Sequence, residues 1–337
     1  MSELLNDYSL TEHNAFALSV NAPYCMFAES RGDIEAAVAN ARELGLRLFV
    51  LGDGSNVVLN DLTSVLVLVM QLTGMEVLED TPACVRVRVA AGESWHRFVL
   101  HAHQKKWFGI ENLALIPGTV GAAPVQNVGA YGVEVASLIE SVEVLDERNG
   151  SYSILSNADC EFAYRDSIFK SERGQHYIIC SVTFRFDRMV QPNWSYPALK
   201  AEIETMGATG RAFDILKAVI SIREAKLPDP KVIPNVGSFF KNPILSNEEF
   251  EALRDLAPMV AHWSGETSVK VSAAWLVEHA GWKGHKRERV GVHTKQSLVL
   301  INLGGATAAD VLLLASDIQE SVREQYGVEL EIEPAVI

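Results

Sequence analysis

Two glycine-rich stretches of this chain have the composition of backbone made to meet a phosphate. In Leu51-Gly52-Asp53-Gly54-Ser55-Asn56, two glycines flank an aspartate, so the chain turns with positive φ and presents successive N–H groups to a diphosphate. A strand rather than a helix is expected next, which excludes the dinucleotide fingerprint G-x-G-x-x-G, and the missing lysine excludes a P-loop. Alone, the stretch also fits an ordinary β-turn. The second stretch, LALIPGTVGAAPVQNVGAYG at 113–132, holds few charges and follows neither a helical nor a strand period. It is too apolar for a surface loop and suits wrapping around a ligand. Its segments Ile116-Pro117-Gly118-Thr119-Val120-Gly121 and Gln126-Asn127-Val128-Gly129-Ala130-Tyr131-Gly132 add N–H donors, an amide pair and an aromatic ring. Two such loops suit a large ligand with a diphosphate in its middle.

Charged and hydroxyl candidates lie further on. Arg165, in Tyr164-Arg165-Asp166-Ser167, reads outside its context as a surface arginine paired with Asp166. Ser238, in Gly237-Ser238-Phe239-Phe240-Lys241-Asn242-Pro243, reads alone as a turn or cap residue, and no G-x-S-x-G surrounds it to mark a hydrolase nucleophile. Glu329, Glu331 and Glu333 alternate, so a regular strand would place all three on one face.

The elements that carry these residues follow from periodicity. Helical spacing is expected at 34–45, 94–106, 197–206, 211–225, 247–256, 268–280 and 308–326, and strands at 47–51, 64–70, 84–92, 140–146, 151–155 and 177–186. A strand pair is suggested by 298–303 and 328–336. The fold class is α+β, with a ligand-cradling part up to about residue 220, a smaller α/β part after it, and a C-terminal strand returning to the first part.

Composition narrows the partners. The 337 residues are 48% hydrophobic and 21% charged, a globular balance with a substantial core. No apolar run approaches the roughly 18 residues of a membrane span, and the polar N-terminus is no secretory signal, so a cytoplasmic protein is expected. A net charge of −14 argues against nucleic acid, and an anionic substrate would need a local cationic pocket. Cys25, Cys84, Cys160 and Cys180 are scattered and read as buried thiols, and no His, Cys or carboxylate cluster has metal-ligand spacing.

In this order and spacing, LGDGSN, ENLALIPGTVGAAPVQNVGAYG, FAYRDSIFK, KLPDPKVIPNVGSFFKNP and the terminal VELEIEP resemble UDP-N-acetylenolpyruvoylglucosamine reductases of the first type, along nearly the whole chain. The resemblance implies an FAD-binding fold of the vanillyl-alcohol-oxidase/PCMH type in two subdomains, 1–70 and 71–220 with strand 327–337, plus a substrate-binding domain at 221–326. It implies an enzyme that uses NADPH to reduce FAD, then passes hydride to the enolpyruvyl group of a UDP-sugar in peptidoglycan precursor synthesis; a monomer is expected, though the sequence itself does not fix the oligomeric state. Arg165, Ser238 and Glu333 match the family's catalytic residues. The flavin contacts fall on Gly52, Gly54, Ser55, Asn56, Ile116, Pro117, Gly118, Gly121, Gln126, Gly129, Tyr131 and Tyr164. Substrate contacts carry over to Tyr196, Lys226, Asn242 and Gln296, with Arg223 beside Lys226, and Lys231 and Lys241 extend the cationic patch. Neither glycine stretch holds a His or Cys to tether flavin, so FAD is expected to be non-covalent. Two departures stand out. Asn14-Ala15-Phe16 replaces the family's Asn-Thr-Phe, and Glu331-Ile332-Glu333-Pro334-Ala335 replaces its Glu-Pro-Glu-Val, which leaves Glu331 as the alternative to Glu333.

Overall fold

Val65–Met70 is apolar at every position, and a strand can use such a run only if both its faces are covered. In the computed structural model, which describes residues 3–337, it lies inside a four-stranded sheet ordered Leu5–Ser9, Asn21–Ala28, Val65–Met70, Arg47–Leu51. It pairs in parallel with Asn21–Ala28 on one side and Arg47–Leu51 on the other, and all six of its residues are buried. The helix Arg31–Leu44 starts at a Ser30/Asp33 capping box and lays Ile34, Ala37, Val38 and Ala41 on the core.

A second sheet is antiparallel, ordered Ser151–Ser156, Ile139–Asp146, Tyr177–Asp187, Cys84–Ala90, Met75–Asp80. Cys84–Ala90 buries Val85, Val87 and Val89 at every second position, so it presents one face to the core. The helix Trp95–Gln104 contributes Trp95 and Phe98 to a ring cluster with Phe184 and Phe186, where Phe98 and Phe184 lie 4.8 Å apart. Burying such a ring contributes roughly 1.5–3 kcal/mol. Both sheets belong to one compact unit, made of the segment up to Tyr8, Ala22–Asp53 and Thr63–Ala225.

The second unit comprises Ser9–Asn21, Gly54–Leu62 and Lys226–Ile337. Its long helix Ala308–Tyr326, opened by a Thr307/Asp310 capping box, buries Val311, Leu314, Ala315, Ile318 and Val322 along one stripe. Two small antiparallel sheets complete it, one ordered Asn235–Ser238, Val299–Asn302, Val290–Val292 and one ordered Ile244–Ser246, Ser268–Val271, His262–Ser264. Phe16 of the N-terminal segment joins this core, and the Asn302 amide donates to its carbonyl at 2.8 Å.

Two expectations are corrected. Residues 268–280 are not one helix: Val269 and Val271 alternate into the core as a strand, and Ser272 then caps the helix Ala273–His279. Residues 298–303 do not pair with the C-terminal stretch. Residues 328–336 fall in the second unit, where Ala335–Val336 runs parallel to Val57–Val58. Val328 and Leu330 are buried there while Glu329 and Glu331 are exposed, so the alternation records half-burial without a regular strand. Pro334, lacking an N–H, interrupts the pairing. All four cysteines are free and buried. Among the described residues no helix is long and apolar enough to cross a membrane.

Candidate functional site

In the first unit, the turn that opens the helix Trp95–Gln104 holds the second glycine stretch along its length. The Trp95 indole donates to the Leu113 carbonyl at 2.9 Å and its amide donates to the Gly118 carbonyl at 3.0 Å. The Leu115 amide donates to His96 Nδ1 at 2.9 Å, and the Val120 amide to the Glu93 carbonyl at 2.8 Å. Between these fixed points, Gly118 and Thr119 are buried, yet their amides donate to no group among the described residues. Buried donors of this kind are normally matched, so a ligand acceptor fits here. Gly52 of the first glycine stretch lies against Thr119, where a Cβ would come within 2.7 Å of the hydroxyl, so these two stretches meet. Gly121 differs from expectation. Its amide is spent on the Ala91 carbonyl at 2.8 Å, and its bareness serves close packing on Ala91 rather than ligand donation.

Beyond it, Gly129–Ala130 and Val133–Glu134 form a two-residue hairpin. Both tip residues, Tyr131 and Gly132, have positive φ (50° and 82°), as a type I′ turn requires. Tyrosine is costly in that conformation, and neighbouring amides hold it. Asn112, almost fully buried, donates to the Tyr131 carbonyl at 2.9 Å and to the Asn193 carbonyl at 2.8 Å, while Asn193 donates to the Gly132 carbonyl at 3.1 Å. Asn127, also buried, donates to Glu134 at 2.9 Å and to the Ala163 carbonyl at 3.0 Å.

Arg165 donates to the Gly129 carbonyl at 2.8 Å, its guanidinium 5.4 Å from the Tyr164 ring centre, and its own φ is 54°. The Tyr131 ring meets the Tyr196 ring edge-on at 5.6 Å. Burial pushes the pKa of both phenols up, partly offset at Tyr131 by the facing Arg223. Burial likewise pulls Arg223 below the ordinary guanidinium range, and its buried Nε has no hydrogen-bond partner. His96 is held below the ordinary imidazole value by burial and then by the charge of Arg223. The first unit thus gathers Gly52, Ile116, Pro117, Gly118, Gly129, Tyr131, Tyr164, Arg165, Tyr196 and Arg223 around one hairpin and one stretch, with Gln126 half-buried between them.

In the second unit, Asn235–Ser238 pairs with Val299–Asn302 through a bulge between Asn235 and Ser238. Gly237 at φ 75° forms that bulge, which re-aims Ser238 away from a regular strand. Asn235 fixes it by accepting the Gly237 amide at 2.9 Å while donating to the Ile233 carbonyl at 2.7 Å. The half-buried Ser238 hydroxyl has no hydrogen-bond partner among the described residues. Phe240 bridges Ile332 antiparallel, the Lys241 amide donates to the Glu331 carbonyl at 2.9 Å and the Glu333 amide donates to the Phe239 carbonyl at 2.9 Å. Glu333 therefore stands opposite the neighbour of Ser238 and is half-buried. Glu331 is exposed and ion-paired with Lys241.

Asn242 Oδ1 accepts the Ala273 amide at 3.0 Å at the start of a helix, and Gln296 is half-buried before Val299–Asn302. Lys226 and Lys231 are exposed cations of this unit, as are the turn residues Gly54, Ser55 and Asn56 members of it, whereas Lys241 is already committed to Glu331. Sequence reasoning passed over Asn112, Asn193 and His96. Asn112 sits inside the recognised ENLALIPG block, and its burial is the signal that it works on backbone; His96 carries no such mark.

The two halves match family models of different kinds: an FAD binding domain over residues 22–156, and a UDP-N-acetylenolpyruvoylglucosamine reductase C-terminal domain over residues 229–337. The chain is 42% identical over 335 residues to a UDP-N-acetylenolpyruvoylglucosamine reductase of Paraburkholderia phymatum, covering 98% of this chain and 97% of that one. It is also 42% identical over 334 residues to one of Pseudomonas aeruginosa, covering 98% of each. The crystal structure of the Thermus caldophilus reductase shares the fold at TM-score 0.67 and 23% identity, over 100% of this chain and 98% of that one. The chain belongs to the UDP-N-acetylenolpyruvoylglucosamine reductase family.

Proposed function

We propose that this protein is an FAD-dependent oxidoreductase that uses NADPH to reduce UDP-N-acetylglucosamine enolpyruvate to UDP-N-acetylmuramate, a step of peptidoglycan precursor synthesis. The observation that carries the reading is the near-full-length identity of 42% to reductases of that name, with the flavin model and the reductase model on separate parts of the chain. The unmatched amides of Gly118 and Thr119 and the orphaned Arg223 Nε suit a large anionic ligand. FAD, bound without a covalent tether and reduced by NADPH, supplies the hydride.

This chain's own residues handle the charge and the proton. Hydride arriving at the terminal enolpyruvyl carbon drives negative charge into the substrate carboxylate, which Arg165 is suited to hold. Ser238 then delivers a proton to the α-carbon, and Glu333 supports that transfer, its position opposite Phe239 favouring it over the ion-paired Glu331. For the substrate, Tyr196 and Arg223 are the contacts assigned in the first unit, and Lys226, Asn242 and Gln296 those assigned in the second. A monomer working in the cytoplasm, without metal, membrane or nucleic acid, completes the reading. Purified protein should be yellow, bleach with NADPH under anaerobic conditions and recover its colour when the UDP-enolpyruvyl sugar is added. A colourless protein, or bleaching that the sugar does not reverse, rejects it.

A further inference from the structure

Leu115 stands at φ 59°, in a region that leucine disfavours, and it leads directly into Ile116-Pro117-Gly118-Thr119. Its amide is held by the His96 ring, donating to Nδ1 at 2.9 Å. That bond fixes the chemistry of the ring. Nδ1 must carry a lone pair, so the proton sits on Nε2 and the imidazole is neutral. Burial and the facing Arg223 both favour this neutral form. Trp95, the preceding residue, holds two carbonyls of the same stretch, at Leu113 and Gly118. Adjacent residues on one helix turn thus supply donors for the carbonyls and an acceptor for the strained amide, and the Gly118 and Thr119 amides are left without partners between them.

We infer that His96 is a positioning residue for the flavin, its neutral Nδ1 locking Leu115 in the left-handed region so that the Gly118 and Thr119 amides are set to receive the cofactor. This rests on the reading that the 116–121 stretch cradles FAD. A merely space-filling histidine would make no use of which nitrogen bears the proton.

Three variants separate these roles. His96→Phe keeps a ring and removes the acceptor, while His96→Asn places a side-chain oxygen close to the Nδ1 position. Gly118→Val, at φ 117°, tests the cradle itself. Each holoenzyme is serially diluted, and released FAD is followed by its fluorescence, with circular dichroism confirming the fold. His96→Phe should raise the FAD dissociation constant about tenfold or more, the consequence of stranding a part-buried donor and releasing the left-handed turn, and His96→Asn should stay within about threefold of the parent. Unaltered flavin affinity in His96→Phe, or equal weakening in a folded His96→Asn, overturns the inference. If Gly118→Val also retains flavin like the parent, the cradle reading fails; if it alone loses flavin, that reading stands and the role of His96 falls. Should His96→Phe not fold, nitrogen NMR of the parent holoenzyme decides: an unprotonated Nδ1 is expected, and an Nδ1–H ring refutes it.

Discussion

The two units carry their candidate residues by different means. Among the described residues, the non-glycine positions at positive φ are Asp7, Lys106, Leu115, Asn127, Tyr131, Glu161 and Arg165 in the first unit and Ala17 in the second. Leu115, Asn127, Tyr131 and Arg165 all belong to the glycine stretches or contact them, and each such conformation costs roughly 1–3 kcal/mol. The strain persists because buried amides from Asn112 and Asn127 and the His96 ring over-determine the path. In the second unit Ser238, Asn242, Gln296 and Glu333 avoid that region, and one glycine bulge does the aiming. Strained backbone marks the candidate ligand-holding stretches of the first unit, Arg165 included, and the proposed proton donor of the second unit stands outside that region. Binding and chemistry should therefore be separable by mutation.

The largest effect tests that separation. Ser238→Ala removes a hydroxyl from the second unit and no bond that shapes the first. Bleaching of the flavin by NADPH should stay near normal, while recovery on adding substrate slows by about 10²–10⁴, the usual contribution of a positioned general acid. Rapid mixing resolves the two phases. Equal slowing of both would make Ser238 structural, and slowing of neither would pass the proton to another group.

Strain in the first unit needs a rigid core beneath it. Phe184 is fully buried, 4.8 Å from Phe98 and 6.1 Å from Trp95 by ring centres. Phe184→Ala should cost about 3–5 kcal/mol of stability in denaturant titrations. Flavin should be released at or before the loss of circular dichroism. Flavin that stays bound after the helical signal is lost would break the link between core and cradle.

The same contrast explains what the sequence made legible. Helices such as Arg31–Leu44 and Ala308–Tyr326 carry capping boxes and apolar stripes, which are local signals. The run Val65–Met70 announces a covered strand for the same reason. The hairpin at Tyr131-Gly132 was not legible, because type I′ turns are signalled by Asn-Gly or Asp-Gly and here amides distant in sequence hold the tip, Asn112 on the Tyr131 carbonyl and Asn193 on that of Gly132. The C-terminal stretch misled, since alternation at Val328, Leu330 and Ile332 looks the same whether or not a partner strand exists. Arg165 and Ser238 were found through the resemblance of their blocks. His96 was missed because its work is done on a backbone amide.

Between the terminal glutamates the expected difference is smaller and sharper. Glu331 is exposed and paired with Lys241, and an exposed ion pair contributes only about 0–1 kcal/mol. Glu331→Gln should leave substrate reduction within a few fold of the parent. Glu333→Gln should slow it about tenfold or more, since it perturbs the group beside the proton donor. Single-turnover rates with pre-reduced enzyme measure both. A reversed order of severity would shift the register across Ile332 and place the acid at Glu331.

The smallest effect returns to the first unit. Tyr196 precedes the helix Pro197–Thr205, and its carbonyl accepts the Lys200 amide at 2.9 Å, so its backbone is fixed independently of its hydroxyl. Its ring packs edge-on against Tyr131, a contact that phenylalanine preserves. Tyr196→Phe should therefore leave stability unchanged within about 0.5 kcal/mol, as for a substitution that touches no cap, cavity or buried charge. Under the proposed role it removes one hydroxyl hydrogen bond to the UDP-sugar, so substrate binding should weaken by about 0.5–1.5 kcal/mol, or roughly 2- to 12-fold in dissociation constant. Calorimetric titration of the oxidised holoenzyme reads this directly. Because the hydroxyl takes no part in holding the backbone, flavin retention and bleaching by NADPH should not change. If bleaching slows while substrate affinity holds, Tyr196 serves the flavin rather than the substrate, and the first unit's aromatic pair belongs to the cradle.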